Sequence, residues 1–160
     1  MPASNIETIY QFEDAIESAV KTNLTSNASL TTYRQRDTTA SVAAPFSAVQ
    51  LSGITSDGTQ RKDASSDFGW DSDFTATLTV VVATNRVKEG ASSTHAATLG
   101  KVRRYLLDLT KWTDDALPYL KVWCINIAGT QPSVDEDDRL DLTTLTFRIR
   151  FLIKETAWPA

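Results

Sequence analysis

The sequence is poor in the residues that build metal centres, disulfides and nucleophilic sites. Its 160 residues include one cysteine, Cys124, and one histidine, His95. A single cysteine excludes an intramolecular disulfide and is typical of a protein that works in a reducing compartment. A zinc site needs three or four ligands at suitable spacing, which these two distant residues do not supply. We therefore expect neither a metal site nor a cofactor.

Long apolar runs and an excess of basic residues are missing as well. No stretch approaches the ~18 apolar residues of a membrane-spanning helix, so we expect no membrane contact. Residues 1–18 are acidic and amphipathic, unlike the basic and apolar segments of a signal peptide. The net charge of −4 argues against a protein whose main task is to grip phosphate backbones, because that task needs clustered Lys and Arg.

Catalytic motifs are also absent. A nucleophilic pair of Cys124 and His95 is formally possible, but the cysteine lies on a predicted strand and the histidine begins an apolar helix face. Both are therefore expected to be packed residues. The segment GITSDG at 53–58 has the glycine spacing of a phosphate-binding loop, yet Thr59 and Gln60 stand where that motif requires Lys and Ser or Thr. We expect no enzymatic activity.

What the sequence does contain is a strongly alternating segment near its centre, DFTATLTVVVAT at 73–84. Alternation with β-branched residues predicts a strand that has one buried and one wetter face. We predict that it is the central strand of the only sheet, with two helices on its apolar face. The apolar face carries Phe74, Ala76, Leu78, Val80 and Val82, and the other face is mostly threonine.

The remaining elements are predicted from periodicity and from capping residues. A capping box of Ser4 and Glu7 begins a helix at about 5–22, and one of the residues 92–94 caps a second helix with an apolar stripe over 95–109. Further strands are predicted at 30–35, 46–52, 120–127 and 140–153. Gly129 and Pro132 are expected to end the strand at 120–127. A bulge near 143–144 is expected to shift the register of the strand at 140–153 by one residue.

Together these elements predict a single α+β domain over 1–160. It has a mainly antiparallel sheet of four to five strands and two helices packed on one face. A polar loop at 53–73 and a short C-terminal tail at 154–160 lie outside this pattern. A loop of that length is usually functional. Phe68 and Trp70 at its end, and Trp158 in the tail, either pack on their own domain or contact a partner.

Charged residues form three groups with competing interpretations. The strongest is the acidic run Asp135, Glu136, Asp137 and Asp138. It is a solvated loop, a contact to a basic patch on a neighbouring subunit, or, least favoured, a metal or catalytic site, because it lacks the glycine of a Ca²⁺ loop. The sequence alone leaves these alternatives open.

The basic groups lie on the second helix and on the last strand. Lys101, Arg103 and Arg104 are either the exposed face of that helix or the counterpart of the acidic run. Arg148 and Arg150 share one face of the last strand, opposite a Phe/Ile-rich face. That face is either solvated or docked on a polar partner, since Arg favours bidentate carboxylate partners at interfaces.

The order of these segments resembles that of the tail terminator (tail completion) proteins of long-tailed bacteriophages. An amphipathic helix (YQFEDAIESAVKTNL) and a variable loop precede an alternating strand (FTATLTVVVAT). A second helix (STHAATLGKVRRYLLDL), a strand (LPYLKVWCINI), an acidic turn and a final strand (LTTLTFRIRFLI) follow. The match is one of order, size and hydropathy over nearly the whole chain.

The resemblance implies a structural virion protein at the head-proximal end of the tail, assembled in the host cytoplasm. Such a protein forms a hexameric ring that caps the tail tube and joins it to a neck or head-closure protein. DNA would pass through the ring without specific binding. Two rivals remain open: another neck or tail tube component, and, from a different class, a small-molecule binding domain or a hydrolase that uses Cys124 or His95.

Overall fold

A computed structural model of the chain describes residues 9–35, 43–56, 68–86, 90–112, 120–134 and 139–154. For residues 9–11, 56, 68–73, 153 and 154 it describes the backbone alone. The helices are α1 (Ile9–Asn27) and α2 (Ala91–Leu107), followed by a 3₁₀ turn (Leu109–Lys111). The strands are β1 (Thr32–Arg34), β2 (Phe46–Ser56), β3 (Phe68–Asn85), β4 (Leu120–Val134) and β5 (Leu140–Lys154).

These strands form one five-stranded sheet in the order β1-β2-β3-β5-β4. All neighbouring pairs are antiparallel except β1 and β2, which are parallel. The alternating segment at 73–84 lies in β3, the middle strand, as predicted. The predicted α+β class with a mainly antiparallel sheet and two helices on one face is confirmed.

The core lies between the two helices and one face of the sheet. Alternate residues of β3 and β5 are buried there, because side chains on a strand point to opposite faces in turn. Phe12 of α1 packs its ring against Phe74 and Phe151, with centroid distances of 5.4 and 6.1 Å. From α2 the buried residues are Leu99, Val102 and Leu106. Both helices therefore cover the same face of the sheet.

A buried ion pair holds the short strand β1 to the rest of the domain. Glu17 of α1 accepts hydrogen bonds from Arg34 Nε and Nη2 at 3.2 and 3.1 Å, and from the Leu51 backbone N–H at 3.0 Å. The strand β1 ends at Arg34, which pairs with Val49. No β1 carbonyl therefore lies in register to accept a hydrogen bond from the Leu51 N–H. The carboxylate of Glu17 thus takes the place of the next β1 carbonyl and satisfies a buried donor.

Two predicted helix boundaries are wrong, each for a local reason. The first helix continues beyond residue 22 to Asn27, where Ser29 adopts a left-handed φ of 53° and the Leu30 N–H donates to the Leu24 carbonyl. This C-terminal cap satisfies a carbonyl group in the last turn of α1 without the glycine that usually occupies the left-handed position. Residues 92–94 do not cap α2, since its N-cap is Gly90, which has a φ of 74° and makes no side-chain cap. The proposed capping box at Ser4 and Glu7 lies outside the described residues.

Three predictions about the strands are also wrong. The segment 53–73 is not one loop, because β2 continues to Ser56 and β3 already begins at Phe68. Gly129 and Pro132 do not end β4, which runs on to Val134 at the sheet edge, where a proline without a ladder hydrogen bond is tolerated. The β3–β5 register has no shift near residues 143–144. The bulges lie in β4 instead, at the register shifts between 122 and 124 and between 127 and 129.

Neither α1 nor α2 combines the length and the apolar composition that a helix needs to span a lipid bilayer.

Candidate functional site

The face of the sheet away from the helices, here called the open face, carries polar side chains in its central rows. Residues that pair across neighbouring strands share a face, so the register defines which side chains lie together. One row runs Ser52, Thr77, Arg148, Asn126 across four strands, and the next contains Gln50, Thr79 and Thr146. No described helix covers these side chains, which are half-buried or exposed.

The open face carries two of the predicted site residues, Arg148 and Arg150, which point the same way because they are two positions apart. Arg148 is exposed, whereas Arg150 is half-buried. The guanidinium carbon of Arg150 lies 4.4 Å from the centroid of the Trp123 ring, a cation–π contact worth roughly 0.5–2 kcal/mol. The β4 bulge places both Trp123 and Cys124 opposite Arg150. Sequence reasoning missed Trp123, because its position depends on this bulge.

The basic residues of α2 lie on the other side of the molecule, in the helix layer. Lys101 and Arg104 are exposed there. Arg103 is half-buried and its Nη2 lies 3.5 Å from the Thr130 hydroxyl of β4. The N-cap of the 3₁₀ turn, Asp108, lies close by, and its pKa is lowered mainly by the hydrogen bond from the Thr110 side chain. The structure therefore separates the α2 cations from Arg148 and Arg150 and does not form one basic patch.

His95 joins two strands to the first turns of α2. Its Nδ1 lies 2.7 Å from the Thr84 hydroxyl of β3, and its Nε2 lies 2.7 Å from the Thr143 hydroxyl of β5. Both threonines are buried on the helix-covered face. Cys124 pairs with Arg150 and therefore lies on the open face. The sheet separates Cys124 from His95, so the two do not form a nucleophilic pair in this structure.

The outer part of β4, residues 126–134, forms an exposed edge. Every residue in it is exposed, and Ile127 and Val134 show 42% and 45% of their surface. Among the described strands, only β5 pairs with it, since β4 ends the sheet. The bulge at Ala128 and the imide nitrogen of Pro132 interrupt this edge, and both features discourage pairing with another strand. The edge is therefore long but poorly suited to continuous self-pairing.

The other predicted site residues cannot be placed in these surfaces. The backbone of Phe68 and Trp70 belongs to β3, not to a loop, and their side chains lie outside the described atoms. The acidic residues 135–138 and Trp158 also lie outside the described residues. Within the described ranges, no three His, Cys, Asp or Glu side chains come together in a way that could hold a metal ion.

Comparison with known proteins adds no family to this geometry. No protein-family model matches the chain, and no curated protein has a significantly similar sequence. What the structure defines is a class of fold: an α+β domain with two helices on one face of a five-stranded, mostly antiparallel sheet.

Proposed function

We propose that the chain is a tail terminator of a long-tailed bacteriophage, a structural virion protein that assembles into a hexameric ring. The ring would cap the tail tube at its head-proximal end and join it to a neck or head-closure protein. The order of elements, α1-β1-β2-β3-α2-β4-β5, is consistent with the segment order on which the resemblance to that family rests.

The observation that carries the proposal is that one subunit presents two chemically different sides. The helix layer exposes the acidic side chain of Asp14, with 52% of its surface accessible, together with the α2 cations. The sheet side exposes hydroxyl and amide groups around Arg148. A ring built head to tail needs two different patches per subunit, and a protein between two partners needs two different faces.

The test is where the protein binds on tail tubes. The gold-labelled chain, added to purified tubes that lack a neck, should appear at one end only when imaged by electron microscopy. Scattered labelling along the tubes, or no labelling at all, would refute termination. Light scattering supplies a second measurement, because a hexamer would have a mass of about 106 kDa, six times the 17.6 kDa of one chain.

A tail tube subunit is the second candidate, favoured by the length of the β2–β3 pair. Thr55 and Ser56 pair with Thr75 and Phe74, and β3 starts as early as Phe68. β3 therefore extends six residues before Phe74, the first of its residues with a described partner on β2, and a stacking hairpin requires a long strand of this kind. A tube subunit should polymerise alone into tubes of variable length, whereas a terminator should stop at rings. Electron microscopy of the concentrated chain alone therefore separates the two functions.

A further inference from the structure

The C-terminal half of α2 and the 3₁₀ turn, residues 101–111 and here called the basic end, form a positively charged surface. The charged residues of this surface are Lys101, Arg103, Arg104, Asp108 and Lys111. Four cations against one carboxylate give a net charge of +3, a local exception in a chain of net charge −4. Three of the cations are exposed, and Arg103 is half-buried. Such a surface attracts an acidic partner.

The basic end also exposes apolar side chains. Leu107 and Leu109 each show 40% of their surface. Leu107 lies one helical turn after Arg103 and Arg104, so cations flank it on the helix surface. A phosphate backbone offers leucine no favourable contact, whereas an apolar centre with a charged rim is the usual anatomy of a protein–protein interface. This composition favours an acidic protein segment over nucleic acid.

We propose that the basic end binds the acidic run at 135–138 of a second copy of this chain. The run supplies four consecutive carboxylates, and directly before it in the chain Val134 exposes 45% of its surface. Both sides of the contact thus combine apolar surface with charges of opposite sign, and arginine binds carboxylates in a bidentate fashion. This contact rests on the proposed function, since it would join neighbouring subunits of the head-to-tail ring.

The direction of α2 separates the basic end from the acidic run within one copy. Near the start of the helix, His95 Nε2 lies 2.7 Å from the Thr143 hydroxyl, and Thr143 pairs with Pro132 of β4. Two turns later, Arg103 Nη2 lies 3.5 Å from the hydroxyl of Thr130, two residues earlier on β4. The helix therefore runs away from the end of β4 from which the chain continues into the acidic run.

The remaining distance is too long for the run of the same copy to span. Leu107 comes twelve residues after His95, about 18 Å along the helix axis. The chain between Val134 and Arg139 must return to β5, so it can extend less than about 10 Å from the end of the sheet. Residues 107–111 of the basic end can therefore be reached only by the run of another copy.

The experiment is sedimentation equilibrium of the full chain up to about 1 mM, at about 10 mM and about 1 M salt. The wild-type chain should self-associate at low salt and dissociate at high salt, because the Debye length falls from about 30 to about 3 Å. The basic-end variant, Arg104→Glu with Lys111→Glu, should weaken the association constant roughly tenfold, because two attractive charges become repulsive. The matched control is Arg148→Glu with Lys121→Glu, which changes the net charge equally at exposed positions of the sheet and should associate as the wild type does.

A single substitution tests the same surface without disturbing a helix end. Arg104 lies in the last turn of α2, where the helix dipole favours a cation. Lys101→Glu avoids that cost, because it changes an exposed position inside the helix. It should weaken self-association in the same direction as the basic-end variant.

A mixture of two variants tests which surfaces meet. Asp137→Lys with Asp138→Lys should also weaken self-association, because it removes charge from the acidic side of the contact. An equimolar mixture of this variant with the basic-end variant retains one intact basic end and one intact acidic run, on different chains. The mixture should therefore form a dimer of about 35 kDa, twice the 17.6 kDa of one chain, and nothing larger.

Three results would overturn the proposal. They are a wild-type chain that stays monomeric at about 1 mM, an equal loss of association in the basic-end variant and the control, and a mixture that stays monomeric. If the basic-end variant instead lost tube binding and kept self-association, the basic end would be a surface for a different protein. The proposed function fails separately: absent labelling of tube ends would refute termination even if the mixture dimerised, and rings that were insensitive to both variants would leave termination intact.

Discussion

Replacing Glu17 should be among the most damaging single changes that the described contacts allow. Its side chain is 1% exposed and satisfies three donors, two on Arg34 and one on the Leu51 backbone. Removing one partner of a buried ion pair typically costs about 3–5 kcal/mol, because the other charge stays buried without compensation. Arg34 retains a salt bridge to Asp14. We therefore expect about 3 kcal/mol for Glu17→Ala, at the lower end of that range.

The assay is urea denaturation followed by circular dichroism, with Asp14→Asn as the matched control. Asp14 pairs with the same arginine but has 52% of its side chain exposed, so its loss should cost less than about 1 kcal/mol. Glu17→Gln should fall between the two variants, since its amide oxygen can still accept from Leu51. The expected loss corresponds to a decrease in Tm of about 6–12 °C. Equal stability of Glu17→Ala and Asp14→Asn would refute the role assigned to the buried carboxylate.

Three further changes test other contacts. Pro132→Val should increase self-association in sedimentation velocity, because it restores an N–H at the exposed β4 edge; an unchanged monomer fraction would contradict this. His95→Leu should cost at least about 1–3 kcal/mol in denaturant unfolding, because two buried threonine hydroxyls lose their partner; a neutral effect would show that they find others. The hydrogen bonds from Thr110 lower the pKa of Asp108 below its ordinary 3.8. Their stabilisation is therefore fully present above pH 3.8 and is lost as the pH falls through the lower folded-state pKa, so the stability gap to Asp108→Asn should narrow as the pH falls below 3.8; a gap that did not narrow as the pH fell further would contradict it.

The sequence predicts well those parts of the fold whose residue pattern lies within a single helix or strand. Alternation in β3 and β5 predicts that Leu78, Val80, Phe147 and Ile149 lie on buried faces, and all four are buried. It also placed Arg148 and Arg150 on the opposite face. An alternation of period two is sufficient to assign residues to the two faces of a strand, because successive side chains of any strand point to opposite faces.

The parts that sequence missed depend on contacts between distant segments. The polar end of β2 and the polar start of β3 lack alternation. The end of β2 is a strand because it pairs with Phe74 and Thr75, and the start of β3 is a strand because it pairs with β5. The role of Glu17 arises because β1 is too short to reach Leu51, a fact of register and not of composition. The bulge that brings Trp123 over Arg150 has the same origin. The hydrophobic pattern specifies register only weakly where a strand is polar on both faces, so it does not predict such pairings.

The exposed outer part of β4 has a consequence for how the molecule opens. Residues 126–134 are held by hydrogen bonds to β5 on one side and by little side-chain burial. Their free energy of local opening should therefore be well below that of global unfolding, and their amides should exchange with solvent before those of β3. A partner that binds there would oppose this opening through its own binding free energy. The outer β4 amides thus form a natural reporter, and slowed exchange at them would reveal an assembly that covers this edge.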